Sequence, residues 1–320
     1  MPVPTVAPTV TVPNGDKMPM VGLGTWQTTG EDGKRAVEFA IVEAGYRLID
    51  TAALYGNEKE IGEVLAKLFR EGKLQREDIF ITTKVWTTMI NPSRCESSVR
   101  ASLNRLELEY VDLVLVHMPT AYDETFRTME KISVEEIWKG FESIQRKGLT
   151  RSIGVSNLSA SQVERIAKMA TVPIACNQCE IYLYWPQPDL VSACHRLNVA
   201  VTAYGPLSSP GRFNVPMPPE FKAVWKPVPN PLENGKVLEL ARKYGKTQAQ
   251  INLRYLLDRG ICIVPKSANP QRQKENIDLF DFQLTKEEIA ELDSQPHRQR
   301  AFEQEFMIGH PEDGFEERLH

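Results

Sequence analysis

Val111-Asp112-Leu113-Val114-Leu115-Val116-His117 decides the fold. Five of its seven residues are Val or Leu, four of them at consecutive positions, 113–116, rather than at every second one. Successive side chains of a strand point to opposite faces, so this strand is expected to be covered on both, as in a parallel sheet flanked by helices. Its neighbours agree. Upstream, 95–106 places Val99, Leu103 and Leu106 at helical spacing. Downstream, Ser133-Val134-Glu135-Glu136 is a capping box that opens a helix, and Gly148 stops it.

The same alternation runs outward in both directions. Strands are expected at 46–50 and 79–85, each preceded by a helix: 34–44, ended by Gly45, and 58–69, with Ile61, Val64, Leu65 and Leu68 on one face. Before them, 9–12 and 18–21 flank Pro13-Asn14-Gly15-Asp16, an Asn-Gly hairpin signal, and 21–25 is a short small-residue strand. Further strands are expected at 152–156, 175–179, 199–204 and 261–265. They are separated by helices at 161–169 (opened by Ser161-Gln162-Val163-Glu164), 189–197, 233–244 and 247–259. A short helix at 270–279 and one opened by Thr285-Lys286-Glu287-Glu288 follow.

Eight strands with helical crossovers imply a parallel sheet with right-handed connections. No linker divides them, and no Gly-x-Gly-x-x-Gly follows the first strand, which counts against an open dinucleotide-binding sheet. The expected fold is therefore α/β, a single (β/α)8 TIM barrel over 1–320, with an N-terminal β-hairpin and long loops at the C-terminal face. Two of those loops stand out: the proline-rich 209–232 and the polar tail 295–320.

Bulk properties narrow the function. Charged residues make up 25% of the chain and the net charge is −4, with no Lys/Arg run, so nucleic acid is not an expected partner. No apolar stretch of about 18 residues occurs and 1–10 lacks a basic segment, so neither a membrane span nor a secretory signal is expected. The five cysteines, an odd and sparse set, fit a reducing compartment, and a soluble cytoplasmic protein is expected. Cys176 and Cys179 form a C-x-x-C, but three apart on a strand they point to opposite faces, and no second pair completes a metal site.

A barrel of this kind works at the C-terminal ends of its strands. Those ends carry Asp50, with Tyr55 in the next loop, then Lys84, His117, Ser156-Asn157, Gln178, Tyr204 and Pro265-Lys266-Ser267. Acid, phenol, amine and imidazole arrive at one rim. His195, His297, His310 and His320 lie outside any motif and are expected at the surface.

These residues sit in a set of runs that resembles the aldo-keto reductase family, in its aldose reductase-like branch. The runs are Gly22-Leu23-Gly24-Thr25-Trp26, Ile49-Asp50-Thr51-Ala52 with Tyr55-Gly56-Asn57-Glu58, and Thr83-Lys84-Val85-Trp86. Further on come Asp112 to His117, Gly154-Val155-Ser156-Asn157, Asn177-Gln178, and Ile263-Val264-Pro265-Lys266-Ser267 with Arg272 and Glu275-Asn276.

The resemblance implies a carbonyl reductase using NADPH/NADP+, with Asp50, Tyr55, Lys84 and His117 as its catalytic tetrad. Tyr55 would be the general acid, Lys84 would lower its pKa, Asp50 would hold Lys84, and His117 would orient the substrate oxygen. For the cofactor it implies Gly24, Thr25, Trp26 and Asp50, the Ser156, Asn157 and Gln178 amide site, Tyr204 stacked on the nicotinamide, and Gly205, Pro206, Leu207 and Ser208 over the pyrophosphate. Pro265 would also line the cofactor site, Lys266, Ser267, Asn269 and Arg272 would take the 2′-phosphate, and Glu275 and Asn276 would lie at the adenine.

For the substrate, a small carbonyl compound, the resemblance implies Trp26, Leu54, Trp86, His117, Met118 and Trp225, with Phe302, Phe306 and Met307 in a tail that sets specificity. Met118 stands where the family often has tryptophan, and Cys179-Glu180-Ile181-Tyr182-Leu183 lacks the usual His-Pro. The expectation is an NADPH-dependent reductase of aldehydes, aldoses included, and of some ketones, acting as a monomer. The rivals are a ketosteroid or prostaglandin reductase of the same family, and a non-catalytic binding or structural relative on the same scaffold.

Overall fold

An antiparallel hairpin, β1 (Thr9–Thr11) and β2 (Lys17–Pro19), comes first, turning at Gly15. The computed structural model describes residues 7–214, 225–296 and 298–315. After the hairpin, eight strands run parallel: β3 (Leu23–Gly24), β4 (Leu48–Asp50), β5 (Phe80–Val85), β6 (Val111–Val116), β9 (Thr150–Ser156), β10 (Cys176–Glu180), β11 (Ala200–Tyr204) and β12 (Cys262–Ile263), neighbours in that order. The short ribbon β7 (Ala121–Tyr122) and β8 (Met129–Glu130) lies in the loop after β6.

The sheet closes on itself. Gly22 N–H donates to the Ile263 carbonyl at 2.9 Å, Ile263 N–H to Met20 at 2.8 Å, and Gly24 N–H to Pro265 at 3.1 Å. Parallel bridges Val21 to Ile263 and Gly24 to Lys266 join first strand to last. The approach is close: a Cβ on Gly24 would lie 2.5 Å from the Val264 carbonyl oxygen, so only glycine fits there.

The helices α1 (Gly30–Phe39), α2 (Glu58–Arg70), α3 (Cys95–Leu106), α4 (Val134–Arg146), α5 (Ala160–Met169), α6 (Pro188–Arg196), α7 (Gly235–Tyr244), α8 (Gln248–Asp258), α9 (Pro270–Ile277) and α10 (Lys286–Asp293) surround it. β5 and β6 are buried at every position, as the apolar run required.

Period two sorts each strand. Ile49, Ile81, Val114 and Val116 pack outward against the helices, with Ile61, Leu65 and Val99. Leu48, Phe80, Leu113, Leu115, Cys176 and Cys262 face inward and pack together with Val12 and Met18 of the hairpin, which plugs the barrel floor. The same parity carries Asp50, Lys84, His117, Gln178 and Tyr204 inward at the other end. Cys176 faces in and Cys179 out, and all five cysteines are free and buried.

Several boundaries differ from the sequence reading. The helix expected at 34 begins at Gly30, where Glu31 and Asp32 favour an N-terminus, and its last five residues, Ala40–Ala44, form a π-helical turn closed by Gly45 at φ 87°. The capping box assigned to Ser161 belongs to Ser159, whose hydroxyl accepts from Gln162 N–H while the Gln162 side chain accepts from Ser159 N–H. No helix among the described residues is long and apolar enough to cross a membrane. Residues 215–224, within the proline-rich loop, and 297 and 316–320 in the tail, with His297 and His320, lie outside the described residues.

Candidate active site

At the C-terminal rim lies a cavity of about 820 Å³. Its floor is ionic. Lys84 reaches from β5 to Asp50 on β4, Nζ to Oδ1 2.6 Å, and donates to the Thr51 carbonyl at 2.9 Å and to the Tyr55 hydroxyl at 3.3 Å. The other oxygen of Asp50 accepts from Gln178 Nε2 at 2.7 Å. Both charges are almost wholly buried. A 3-10 turn, Ala53–Tyr55, brings the phenol back over the strand ends, closed by Gly56 at φ 68°.

Burial pulls the Lys84 ammonium down, but Asp50 and Tyr55 more than offset it and hold its pKa above the usual 10.5, so it stays charged. Tyr55 moves up from the usual 10. Burial raises it, Lys84 pulls it down, and Asp50 adds to the rise. Lys84 thus acts on the phenol in the expected direction, while burial of the phenolate outweighs it.

His117 follows β6, half-wrapped by aromatic rings. Its ring centroid lies 5.0 Å from Trp86 and 5.8 Å from Tyr55, both near perpendicular. Burial, then the Lys84 charge, hold the imidazole well below 6.5, so it is neutral. Nδ1 has no hydrogen-bond partner among the described residues. A neutral ring with free polar capacity beside a phenol suits a hydrogen bond to a ligand oxygen.

Above this floor the amides are joined to one another. Asn157, at φ 63° just past β9, donates from Nδ2 to the His117 carbonyl at 3.0 Å and accepts from the Tyr204 hydroxyl at 2.8 Å. Ser156 Oγ donates to the Gln178 carbonyl at 2.7 Å. One wall is aromatic: the Phe302 ring lies 5.8 Å from Trp26, 5.6 Å from Tyr204 and 5.9 Å from Trp225. Leu54 is 41% exposed at the mouth, while Met118 is buried with Tyr122, Phe306 and Met307.

The far arm of the cavity passes Gly205, Pro206 and Leu207 to Pro265, Lys266, Ser267, Arg272, Glu275 and Asn276. Lys266 and Arg272 form no ion pair among the described residues. Partial burial of Lys266 and the Arg272 charge hold its ammonium below the usual 10.5. Two cations set together without a counter-ion fit a phosphate dianion.

Most of the expected residues thus meet in one cavity. Lys84 lies beneath its lining, and Ser208, Asn269 and Met307 lie outside it. Asn269 caps α9, accepting from Arg272 N–H at 3.0 Å. Sequence reasoning missed Gln27, Arg212, Gln304 and Glu305 in the lining. Arg212 is buried and donates to the Ser208 and Lys226 carbonyls at 2.8 and 2.7 Å. Nothing in the proline-rich run marks it apart from a solvated loop arginine. His310, expected at the surface, is buried. Nε2 bonds the Glu130 carbonyl and Nδ1 accepts Glu312 N–H, both at 2.9 Å, which ties the tail to β8. His195 is exposed as expected. Among the described residues no group of three or more His, Cys, Asp or Glu is placed to hold a metal.

Residues 20–295 match the model of the aldo/keto reductase family. The chain is 38% identical over 293 residues to aldo-keto reductase family 1 member A1 of Homo sapiens, covering 88% of this chain and 86% of that protein. Among solved structures, the aldose reductase of Schistosoma japonicum superposes with a TM-score of 0.86 at 35% identity, over 97% of this chain and 99% of that one. A Bombyx mori aldo-keto reductase in complex with NADP gives 0.86 at 36%, over 96% and 98%.

Proposed function

The chain belongs to the aldo/keto reductase family, and on that premise we propose that it is an NADPH-dependent reductase of aldehydes, aldoses among them, and of some ketones, with Tyr55 as proton donor. The observation that carries the reading is the buried chain from Asp50 through Lys84 to the Tyr55 hydroxyl beneath an aromatic cavity. The NADP complex of the silkworm relative supports the cofactor, as does the cation couple of Lys266 and Arg272, which has no ion pair among the described residues. When bound, the reduced nicotinamide supplies a hydride to the carbonyl carbon.

This chain's residues would do the rest. A phenol held above its ordinary value is fully protonated at neutral pH, so Tyr55 has a proton to give to the carbonyl oxygen. Lys84 stabilises the phenolate left behind, a charge that burial would otherwise oppose. Asp50 keeps the ammonium in place, and Gln178 and Thr51 hold the pair. Neutral His117 directs an N–H at the same oxygen, and Trp26, Leu54, Trp86, Met118 and Trp225 surround the remainder of the substrate.

The cofactor would lie along the rim from Gly24, Thr25 and Trp26 through Ser156, Asn157, Gln178 and Tyr204 to Pro265, Ser267, Glu275 and Asn276, under Gly205 to Ser208. Lys266 and Arg272 would meet its 2′-phosphate. Lys266→Ala and Arg272→Ala are each expected to raise the NADPH KM about ten- to hundredfold, the loss of one charge-assisted contact, while the NADH KM changes less than about threefold. Equal effects on the two cofactors refute the assignment.

The direct test is consumption of NADPH with benzaldehyde, followed by nicotinamide absorbance. Turnover is expected, and kcat/KM is expected to show no transition near pH 6.5 between about pH 8 and pH 5.5, because His117 is already neutral. A chain that binds NADPH and turns over no aldehyde or ketone overturns the reading.

A further inference from the structure

Glu180 ends β10 two residues beyond Gln178 and is fully buried, yet it takes no part in the chemistry above. Its carboxylate faces the C-terminal tail. Oε1 accepts Ala301 N–H at 2.6 Å and Oε2 accepts Phe302 N–H at 3.1 Å, with Arg300 Nη1 3.9 Å away. A carboxylate deep in a barrel rim is costly to bury: desolvation pushes its pKa up to about 7, while Arg300 and the two backbone donors pull the other way and favour the ionised form. The groups it binds belong to the segment that carries Phe302, whose ring packs on Trp26, Tyr204 and Trp225 across the cavity. The tail has no helix or strand at that point to fix it. Its position there is held from the barrel: Tyr182 and Tyr184 bond Gln299 just before it, at 2.7 and 2.9 Å, Lys226 pairs with Glu303 just after it, and the two Glu180 hydrogen bonds fix the amides of Ala301 and Phe302 themselves.

We propose that Glu180 is a positioning residue for the carbonyl substrate: by accepting the Ala301 and Phe302 amides it fixes the Phe302 ring as a wall of the substrate pocket, and so sets the KM for bulky aromatic carbonyl compounds. The proposal rests on the reading of this cavity as a reductase site. Glu180→Gln is the sharp variant, because it keeps size and shape. A glutamine side chain has one acceptor oxygen and a donor amide, so one of the two backbone N–H groups must then face another donor. Phe302 is released without a cavity being made.

The test uses the full chain with NADPH and compares Glu180→Gln, Phe302→Ala and the double variant against benzaldehyde and a two-carbon aldehyde. Glu180→Gln is expected to raise the benzaldehyde KM about tenfold, with kcat and the NADPH Kd within about threefold and little change for the small aldehyde. Adding Glu180→Gln to Phe302→Ala is expected to have no further effect, because the glutamate acts through that ring. An unchanged KM in Glu180→Gln, or effects of the two substitutions that multiply, overturns the proposal. Should Glu180→Gln fail to fold, hydrogen exchange on the unaltered chain decides: Ala301 and Phe302 amides are expected to be protected as well as those of β10, and fast exchange refutes the anchor. An unaltered chain with no carbonyl turnover overturns the reductase reading and the substrate role together, whereas turnover with an unmoved Glu180→Gln overturns only this proposal.

Discussion

Tyr55→Phe is expected to lower kcat by about 10²–10⁴-fold while leaving NADPH binding and the fold intact. The substitution removes one oxygen. Among the described residues that oxygen has one side-chain partner, Lys84 at 3.3 Å, which keeps its shorter contacts to Asp50 and Thr51. The loss in stability is therefore expected to stay within about 1 kcal/mol, the worth of a single long hydrogen bond. The loss in rate is larger because nothing else in the floor can give a proton as readily. Lys84 is held above its usual pKa by its neighbours, so it gives up a proton reluctantly. His117 is neutral and depressed, so the only proton it has is the one on a neutral imidazole. A variant that kept full turnover would show that the proton comes by another route, and the first place to look would be His117 with a bound water. Steady-state kinetics with NADPH and benzaldehyde, with thermal unfolding as the control for folding, settles which.

The elements that build this floor differ widely in how legible they are in the sequence. The strand β6 could be read from composition alone, since an uninterrupted Val/Leu run has few other uses. Position then carried the reading to the site, since Asp50, Lys84 and His117 stand at the C-terminal ends of their strands; parity explains in the structure why they point inward, as on β5 Phe80 and Lys84 share a face. Closure was harder. β3 and β12 are two residues each, too short to announce themselves, and the barrel is joined there by single bridges whose residues are 240 or so apart in the chain. Phe302 and Phe306 of the tail were expected at the pocket and line it, but what holds the tail there was not legible. Its order comes from partners distant in sequence. Glu180 holds its start, and Arg165 with Gln162 of α5 hold Glu312 near its end at 2.8–3.0 Å. No local period records such contacts, which is why His310 reads as a surface residue and is buried. Ser159 and Ser161 show a smaller limit: both stand three residues before an acceptor side chain, and only the helix start tells them apart.

Lys84→Met is expected to be the most destabilising single change at the site, costing about 3–5 kcal/mol. The methionine fills much of the lysine's volume, so packing is not the issue. Charge is. Asp50 is 3% exposed and would keep only Gln178 Nε2, a neutral donor at 2.7 Å, in place of an ammonium at 2.6 Å. An isolated buried carboxylate is far more costly than a buried pair, since the pair's mutual attraction is what offsets desolvation. Against a typical total stability of about 5–15 kcal/mol the loss is a large fraction. Urea unfolding of the apo chain is expected to show a lower midpoint with an unchanged slope, the mark of lost stability rather than an altered unfolded state. The double variant Asp50→Asn/Lys84→Met is expected to be more stable than Lys84→Met alone, because the orphaned charge is gone, yet no more active. If the single variant were as stable as the parent, the ion pair would owe nothing to the fold. If the double variant recovered turnover, Lys84 would have no part in stabilising the Tyr55 phenolate. Stability that returns while activity does not is the outcome that separates what the pair does for the barrel from what its ammonium does for the phenol.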